Sequence, residues 1–466
     1  MSAGEGWGEE KIMRTEEYGR WSEVSEDTAR EADTVAAHYC DYIGRVKTER
    51  EAVSYCLGEL RSAGFVDIAE CAEVRPGDKV YRNIRNKGVA AAVIGDTGNG
   101  FHIIAAHADS PRLALKPKPF RDDTGLGYAS LYARGGIKPY LWVDIPLAIH
   151  GIVATGSGES IELVIGEDEG EGCFMIPDIS LHASGSQKEL KMDEAVRLQD
   201  LQCITGSIPS PTGVEEHITR AVMDYLKSSY GIGPDEIVAA ELHLVPRGKA
   251  IYLGFDRSLI AAFGQDDRIC VYAGLQAILD SGGRCRMPHG QIEHTNVFFA
   301  IDREEIGSIG STSANSRVYE NFLSDIITRQ YAGKTSVTVP TVFEKSKVIS
   351  ADVSILTGAL EKNFSDMHNA ALCGRGICLD KFMSSSNHEF VQWFIRRLNE
   401  YDIFWQSSML GKGAVQFGGS VAASFAHKGM EVINAGPGIF CSHAPYEIVS
   451  KLDLFMACTG YSVFYR

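Results

Sequence analysis

The stretch Asn296-Val-Phe-Phe-Ala-Ile301-Asp302-Arg-Glu304-Glu305-Ile-Gly-Ser308 joins an apolar run to two adjacent carboxylates. The apolar run predicts a strand over 294–301. In an open α/β sheet, ligands bind at the carboxyl ends of the strands. Because neighbouring carboxylates repel each other and resist burial, Glu304 and Glu305 favour a site that also holds a cation. The alternative is an ordinary solvated loop of acidic residues.

The elements around this strand indicate an α/β fold with an insertion. Helical spacing runs over 26–64 with an interruption near Gly44, and further helices and strands alternate from residue 250 onward. The predicted strands lie at 89–94, 101–106, 336–343 and 347–353, and the predicted helices at 267–281, 316–332, 387–400 and 446–456. Residues 113–245 are instead rich in Gly, Pro and short apolar runs such as 141–145, 149–154 and 161–165, with one helical pattern at 215–228. The sequence therefore predicts a discontinuous α/β domain (1–112 and 246–466) interrupted by a β-rich domain (113–245).

Composition narrows the class of protein. The chain has 466 residues, a formal net charge of -16 and 44% hydrophobic residues, which is typical of a folded globular protein. The negative charge disfavours nucleic acid and anionic membranes as partners. No apolar run approaches the ~20 residues of a membrane span, and the acidic amino terminus does not resemble a signal peptide. The 11 scattered cysteines form no CxxC pair, which favours reduced thiols and a cytoplasmic location.

Four further segments supply candidate partners for the Glu304–Glu305 pair. His107 and Asp109 end an apolar run, Asp266 and Asp267 precede a helical pattern, Asp352 follows another apolar run, and His443 lies in a Gly- and Pro-rich turn. Each has a structural alternative when it is taken alone. A loop histidine with a turn-forming aspartate would explain the first segment, and a helix N-cap would explain one aspartate of the second.

Taken together, these residues suit a two-metal site. Zinc accepts imidazole and carboxylate ligands, and two zinc ions about 3.5–4 Å apart need a bridging carboxylate with mixed terminal ligands. An acid that binds no metal would then serve as the general base toward the attacking water. The candidate set is His107, Asp109, Asp266, Glu304, Glu305, Asp352 and His443.

These segments resemble the M18 family of metallo-aminopeptidases, which includes aspartyl aminopeptidase and aminopeptidase I. They occur in the family's order and span nearly the whole chain. The matching segments are His107-Ala-Asp-Ser-Pro-Arg112, Gln265-Asp-Asp-Arg268, Asp302-Arg-Glu-Glu-Ile-Gly-Ser308, Ser350-Ala-Asp352 and Ser442-His443.

The resemblance implies roles for individual residues. Asp266 would bridge two divalent ions, zinc in the first place with cobalt or manganese as alternatives. Asp109 would orient His107, and Glu304 would be the general base. The remaining implied metal ligands are His107, Glu305, Asp352 and His443.

The resemblance also implies an architecture and an assembly. It implies a catalytic domain with a central mixed sheet flanked by helices, and makes 113–245 a β-rich dimerisation domain. Dimers would assemble into a homododecamer that encloses the active sites and admits peptide substrates. His182 matches a family histidine that reaches a neighbouring subunit's active site; the alternative is a surface histidine on a turn.

The preferred substrate is left open by the sequence. Aspartyl aminopeptidases carry a histidine after the Ser-Ala-Asp segment, whereas residues 353–360 contain none. Arg375 and Lys381 are candidates for contacting a substrate carboxylate, or they are surface charges. The leading function is a dinuclear aminopeptidase; the alternatives are a related metal-dependent deacylase or carboxypeptidase-like hydrolase, and a non-enzymatic scaffold.

Overall fold

The computed structural model describes residues 19–211, 217–281, 293–332, 337–380, 387–409 and 420–466. Its strands are β1 Val66–Asp67, β2 Lys79–Ile84, β3 Gly88–Val93, β4 Phe101–His107, β5 Arg112–Asp123, β6 Leu126–Arg134, β7 Leu147–Ala154, β8 Ser160–Ile165, β9 Gln202–Gly206, β10 Glu241–Pro246, β11 Ile251–Leu253, β12 Leu259–Ala262, β13 Thr295–Ile301, β14 Lys347–Ser350, β15 Ser354–Ile355, β16 Ile377–Asp380, β17 Trp405–Ser407, β18 Glu431–Gly436, β19 Gly438–Phe440 and β20 Glu447–Ser450. Its α-helices are α1 Glu26–Arg45, α2 Glu49–Ser62, α3 Met192–Ala195, α4 His217–Tyr230, α5 Pro234–Ala239, α6 Gln265–Ser281, α7 Val318–Gln330, α8 Val339–Phe343, α9 His388–Glu400, α10 Ser420–Ala426 and α11 Lys451–Phe464.

The chain divides into two compact units. The first contains the described residues within Met1–Asp109, Ala250–Ser442 and Glu447–Arg466, and the second contains those within Ser110–Lys249 and His443–Tyr446. These divisions lie within a few residues of the domain boundaries expected at 112/113 and 245/246, except that 443–446 group with the second unit.

The first unit is built on a nine-stranded sheet with the order β1-β2-β3-β13-β4-β14-β18-β16-β17. β4 pairs in parallel with both β13 and β14, and β14 pairs in parallel with β18. β3 runs antiparallel to β2 and β13, and β16 runs antiparallel to β18 but parallel to β17. A smaller five-stranded sheet has the order β11-β12-β20-β19-β15. This mixed α/β architecture confirms the predicted fold class.

The central strands are largely apolar because both faces of the sheet are covered. Every residue of β3, β4 and β13 is buried. Side chains alternate between the two faces, so Ile104 and Phe298 join one apolar cluster while Ile103 and Phe299 join the other. This double burial fixes the register of β4 against β13 and therefore the place where each strand ends.

The second unit is a six-stranded sheet with the order β8-β7-β10-β5-β6-β9. All of its neighbouring strands are antiparallel. This unit is built around antiparallel strands, which is the character that the sequence predicts for 113–245. The run at 141–145 is an exception to the predicted strands, because Pro139–Trp142 form a short 3-10 helix that begins with a proline.

Three other predicted elements differ from the structure. The helical pattern over 26–64 continues through Gly44 and breaks later, because Thr48 and Glu51 form a capping box that starts α2. The strand predicted at 336–343 is wrong over its described residues: Pro340 lies in the first turn of α8 and Thr338 caps it. The carboxyl-terminal helix starts at Lys451 rather than near 446, because 447–450 pair with β12.

The described part of the chain contains neither a disulfide bond nor a membrane-spanning helix. The ten described cysteines are all free thiols. Among the described residues, none of the helices has both the length and the hydropathy that a membrane span requires.

Candidate metal centre

Three parallel strands end side by side at one edge of the nine-stranded sheet. The register pairs His107 with Ile301 and Ala105 with Ser350, so β4, β13 and β14 end at nearly the same level. His107 is the last residue of β4, and Asp352 follows β14 by two residues. A short 3-10 helix over Glu304–Ile306 follows β13. The sheet thus gathers residues that lie far apart in the sequence.

Two groups of side chains at this edge could hold a metal ion. One consists of His107, Asp266 and Glu305, and the other of His107, Asp267 and Asp352. In each group the ligand atoms all lie within 4.8 Å of one another. Because His107 belongs to both groups, they form one continuous centre.

The tautomer of His107 is set by a main-chain contact. Its Nδ1 lies 3.0 Å from the carbonyl oxygen of Asp109. A carbonyl oxygen only accepts, so Nδ1 carries a hydrogen and donates it. In the neutral ring the lone pair is then on Nε2, as a metal ligand requires.

Nε2 of His107 faces carboxylate oxygens. It lies 3.4 Å from Oδ1 of Asp266 and 3.8 Å from Oδ1 of Asp352. A lone pair facing two anionic oxygens needs a cation between them, either a proton or a metal ion. Burial by itself would lower the pKa of His107, but the two carboxylates outweigh burial and raise that pKa well above its usual value. The residues present therefore fit a divalent metal ion.

The pKa of Asp352 is also affected by the acidic residues at this edge. Its side chain is 35% exposed. Desolvation is the largest cause that raises its pKa to about 6, His107 acts in the opposite direction, and the charges of Asp266 and Glu304 raise it further. The centre is thus an anionic site in which carboxylates compete for a single histidine.

Asp266 is held from two sides by the segment that carries β19 and β20. The hydroxyl of Ser442 donates to its Oδ2 at 2.8 Å. Its main-chain N–H donates to Oε2 of the buried Glu447 at 3.0 Å. Its Oδ1 is the atom that faces His107.

Asp267 is fully buried beside Asp266, and the peptide bond that joins them is cis. Its Oδ2 accepts a hydrogen bond from the main-chain N–H of His107 at 3.1 Å. Neither aspartate has helical backbone angles, so the regular part of α6 begins after them. Burial raises the pKa of Asp267 well above its usual value. A cap alone would not explain this pair, because Asp267 ties the helix start to the end of β4.

Glu304 and Glu305 have different surroundings. Glu305 belongs to one of the two metal-binding groups, and Glu304 belongs to neither. The main-chain N–H of Glu304 donates to Oδ1 of the buried Asp109 at 3.0 Å. That same Oδ1 is 3.7 Å from Nδ1 of His107. The carboxylate of Asp109 therefore contacts Glu304 more closely than it contacts His107.

The other predicted site residues belong to neither ligand group or lie outside the described residues. His443 belongs to the second unit, where its Nδ1 lies 2.9 Å from the carbonyl oxygen of Gly136. His182 is exposed in a turn of the same unit. Arg375 lies in the loop before β16, whose Gly374 and Gly376 N–H groups donate to Asp453. Lys381 lies outside the described residues.

Three residues of the centre are not among the site residues that the sequence predicts: Asp267, Ser442 and Glu447. The doubled aspartate before an apolar helix is a sequence signal for Asp267. Nothing local marks Ser442 or Glu447, because their roles depend on the pairing of β20 with β12 and β19.

Comparison with known protein families gives one consistent match. A family model described as Aminopeptidase I zinc metalloprotease (M18) matches residues 42–465. The probable M18 family aminopeptidase 1 of Borrelia garinii subsp. bavariensis is 36% identical over 458 residues, which cover 96% of this chain and 98% of that protein.

Solved structures agree with the sequence match. The crystal structure of an M18 family aminopeptidase from Thermotoga maritima superposes with a TM-score of 0.89 at 34% identity, covering 97% of this chain and 99% of that one. The mApe1 dodecamer of S. cerevisiae has a TM-score of 0.75 at 18% identity, covering 94% and 97%. At that identity the second likeness concerns the fold alone.

Proposed function

The chain belongs to the M18 family of zinc metalloproteases, and we propose that it removes the N-terminal residue from peptides with two divalent metal ions at this edge of the sheet. The resemblance found in the sequence is confirmed, and the chain is a metallo-aminopeptidase. Because Nε2 of His107 can bind only one ion, the observation that carries the dinuclear proposal is the two separate sets of carboxylates beside it, Asp266 with Glu305 and Asp267 with Asp352. The deacylase and carboxypeptidase-like alternatives have no comparable support.

Each metal ion would have its own ligands and would share a bridge. The metal ions, when bound, supply Lewis acidity that polarises the scissile carbonyl and lowers the pKa of water. Asp266 is the proposed bridge, because Ser442 and Glu447 fix it beside His107. The remaining proposed ligands are His107, Glu305, Asp352 and His443.

Glu304 is the proposed general base. It directly precedes the proposed ligand Glu305, belongs to neither ligand group, and is anchored through its main-chain N–H to Asp109 beside His107. It would take a proton from the water that attacks the scissile carbonyl carbon. It would then give that proton to the peptide nitrogen as the C–N bond breaks, which releases the N-terminal amino acid and a shortened peptide.

Self-association is part of the proposal. The solved mApe1 assembly is a dodecamer, and we propose that this chain also assembles from dimers through residues 113–245. His182, Arg375 and Lys381 as substrate-contacting residues and the cytoplasmic location remain predictions from the sequence.

The substitution Glu304→Gln tests the base directly. We expect kcat to fall by about 10²–10⁴-fold, the range that a positioned acid–base group contributes. Metal content, measured by mass spectrometry on dialysed protein, is expected to match that of the unmodified enzyme. Glu389→Gln is the matched control, because Glu389 is 71% exposed on α9 and is expected to leave both quantities unchanged.

Two results would contradict the proposal. Turnover by Glu304→Gln within tenfold of the unmodified enzyme would remove Glu304 as the base. Cleavage of an N-acetylated peptide as fast as of its free-amine counterpart would remove the requirement for a free N-terminus and favour an endopeptidase or deacylase activity.

A further inference from the structure

Ser442 makes a direct hydrogen bond to the proposed bridging ligand. Its hydroxyl donates to Oδ2 of Asp266 at 2.8 Å, while Oδ1 of the same carboxylate faces Nε2 of His107 at 3.4 Å. The two oxygens of Asp266 are therefore in different surroundings, one toward the histidine and one toward a hydroxyl donor. A hydrogen bond at one oxygen fixes the rotation of the whole carboxylate about its Cβ–Cγ bond.

The main chain around Ser442 is shaped for this contact. Cys441 and His443 have φ values of 59° and 66°, a left-handed conformation that residues other than glycine rarely adopt. Such conformations persist where the surrounding structure fixes them, and they cluster at functional sites. Here they flank the residue whose side chain touches Asp266.

We propose that Ser442 is a positioning residue for the metal centre, acting through Asp266. The inference rests on the proposed role of Asp266 as a metal ligand. Groups that hydrogen-bond to metal ligands typically change metal affinity by about 10–100-fold when they are removed. Glu447 complements Ser442 by accepting a hydrogen bond from the main-chain N–H of Asp266. Asp266 is therefore held both at its carboxylate and at its main chain.

The test compares three variants at position 442 with a control in the same segment. Ser442→Ala is expected to weaken zinc affinity about tenfold or more, measured in the full-length protein by competition with a chromogenic zinc chelator. At saturating zinc, KM for a peptide substrate is expected to stay unchanged. Ser442→Thr keeps the hydroxyl and should preserve the affinity, whereas Ser442→Val, which has the shape of threonine but no hydroxyl, should lower the affinity as Ser442→Ala does.

Ser450→Ala is the matched control. The Ser450 hydroxyl accepts the N–H of Leu452 at the start of α11, which is a structural cap. This variant is expected to lower the thermal unfolding midpoint and to leave zinc affinity unchanged. A structural role for Ser442 would give the same pattern, so the two variants separate positioning of the ligand from stabilisation of the fold.

The outcomes separate this inference from the proposed function. Zinc affinity of Ser442→Ala or Ser442→Val within twofold of the unmodified protein would overturn the positioning role. If Ser442→Ala fails to fold, the comparison of Ser442→Val with Ser442→Thr decides the question. Retention of normal zinc affinity by Asp266→Asn would instead overturn the ligand assignment on which both proposals depend.

Discussion

Removing the side chain of Asp109 is expected to impair turnover more than metal binding. The sequence resemblance implied that Asp109 orients His107, yet the contact to Nδ1 of His107 at 3.0 Å comes from the main-chain carbonyl of Asp109. The carboxylate is 3.7 Å from that nitrogen and accepts the N–H of Glu304 at 3.0 Å instead. Truncation to alanine keeps the carbonyl and removes the acceptor for Glu304.

The expected decrease in kcat follows from the hydrogen bond between the N–H of Glu304 and the carboxylate of Asp109. A hydrogen bond to a charged acceptor contributes about 1.5–3 kcal/mol, and about 1.4 kcal/mol corresponds to a tenfold change in rate. If the bond holds Glu304 in its reactive position, kcat for Asp109→Ala should fall on the order of 10–100-fold. Asp109→Asn keeps an oxygen acceptor and should lose less than Asp109→Ala.

The assay measures zinc content and kcat on the same preparations. We expect Asp109→Ala to keep at least half of the zinc of the unmodified enzyme and to lose activity per bound zinc. The opposite result, loss of zinc with normal activity per remaining zinc, would show that the carboxylate acts on His107 and would refute this reasoning. Equal losses of kcat in Asp109→Ala and Asp109→Asn would show that turnover depends on the charge of Asp109 rather than on its hydrogen bond to Glu304.

Two further outcomes are expected for the whole protein. Chelation should lower the thermal unfolding midpoint, because a ligand at about 1,000 times its Kd stabilises the folded state by about 4 kcal/mol; equal midpoints in scanning calorimetry would contradict a resident metal. Burial is the largest cause that lowers the pKa of His102, and His294, stacked at 4.3 Å, also lowers it. Since the unfolded chain binds a proton that the folded chain excludes, stability should fall by up to about 1.4 kcal/mol for each pH unit below about 6.5. His102→Gln should flatten that decline in denaturant titrations from pH 7.5 to 5, and an unchanged slope would contradict the assignment.

The strands that carry the centre could be predicted because their signal is local. The apolar run ahead of Glu304 predicts a strand over 294–301, and the structure has Thr295–Ile301. His107 and Asp352 are recognisable in the same way, as polar residues that end apolar runs. A strand buried on both faces is a nearly continuous apolar run, so the sequence indicates both the strand and the polar residues at its end.

The hydrogen bonds that hold the proposed metal ligands in place could not be predicted from the sequence, because they depend on strand pairing between distant segments. Glu447 reaches Asp266 only because β20 pairs with β12 and β19. Helix α8 illustrates the opposite failure: Thr341, Val342 and Phe343 favour a strand locally, but Pro340 and the cap at Thr338 start a helix that buries Val342 and Phe343. Local preference gave way to tertiary burial and capping.

Adjacent carboxylates occur twice at this edge, as Glu304–Glu305 and Asp266–Asp267. Glu305 and Asp266 join His107 in one ligand group and Asp267 joins it in the other, whereas Glu304 belongs to neither. Gathering these charges in a partly buried site costs electrostatic free energy, and a bound cation offsets that cost. Metal binding should therefore be coupled to the folding of the segments that carry these carboxylates. The same reasoning explains why these acidic residues indicate the reaction but not the preferred substrate. Their arrangement balances the positive charge of the metal ions, and that charge is the same whichever N-terminal residue is removed.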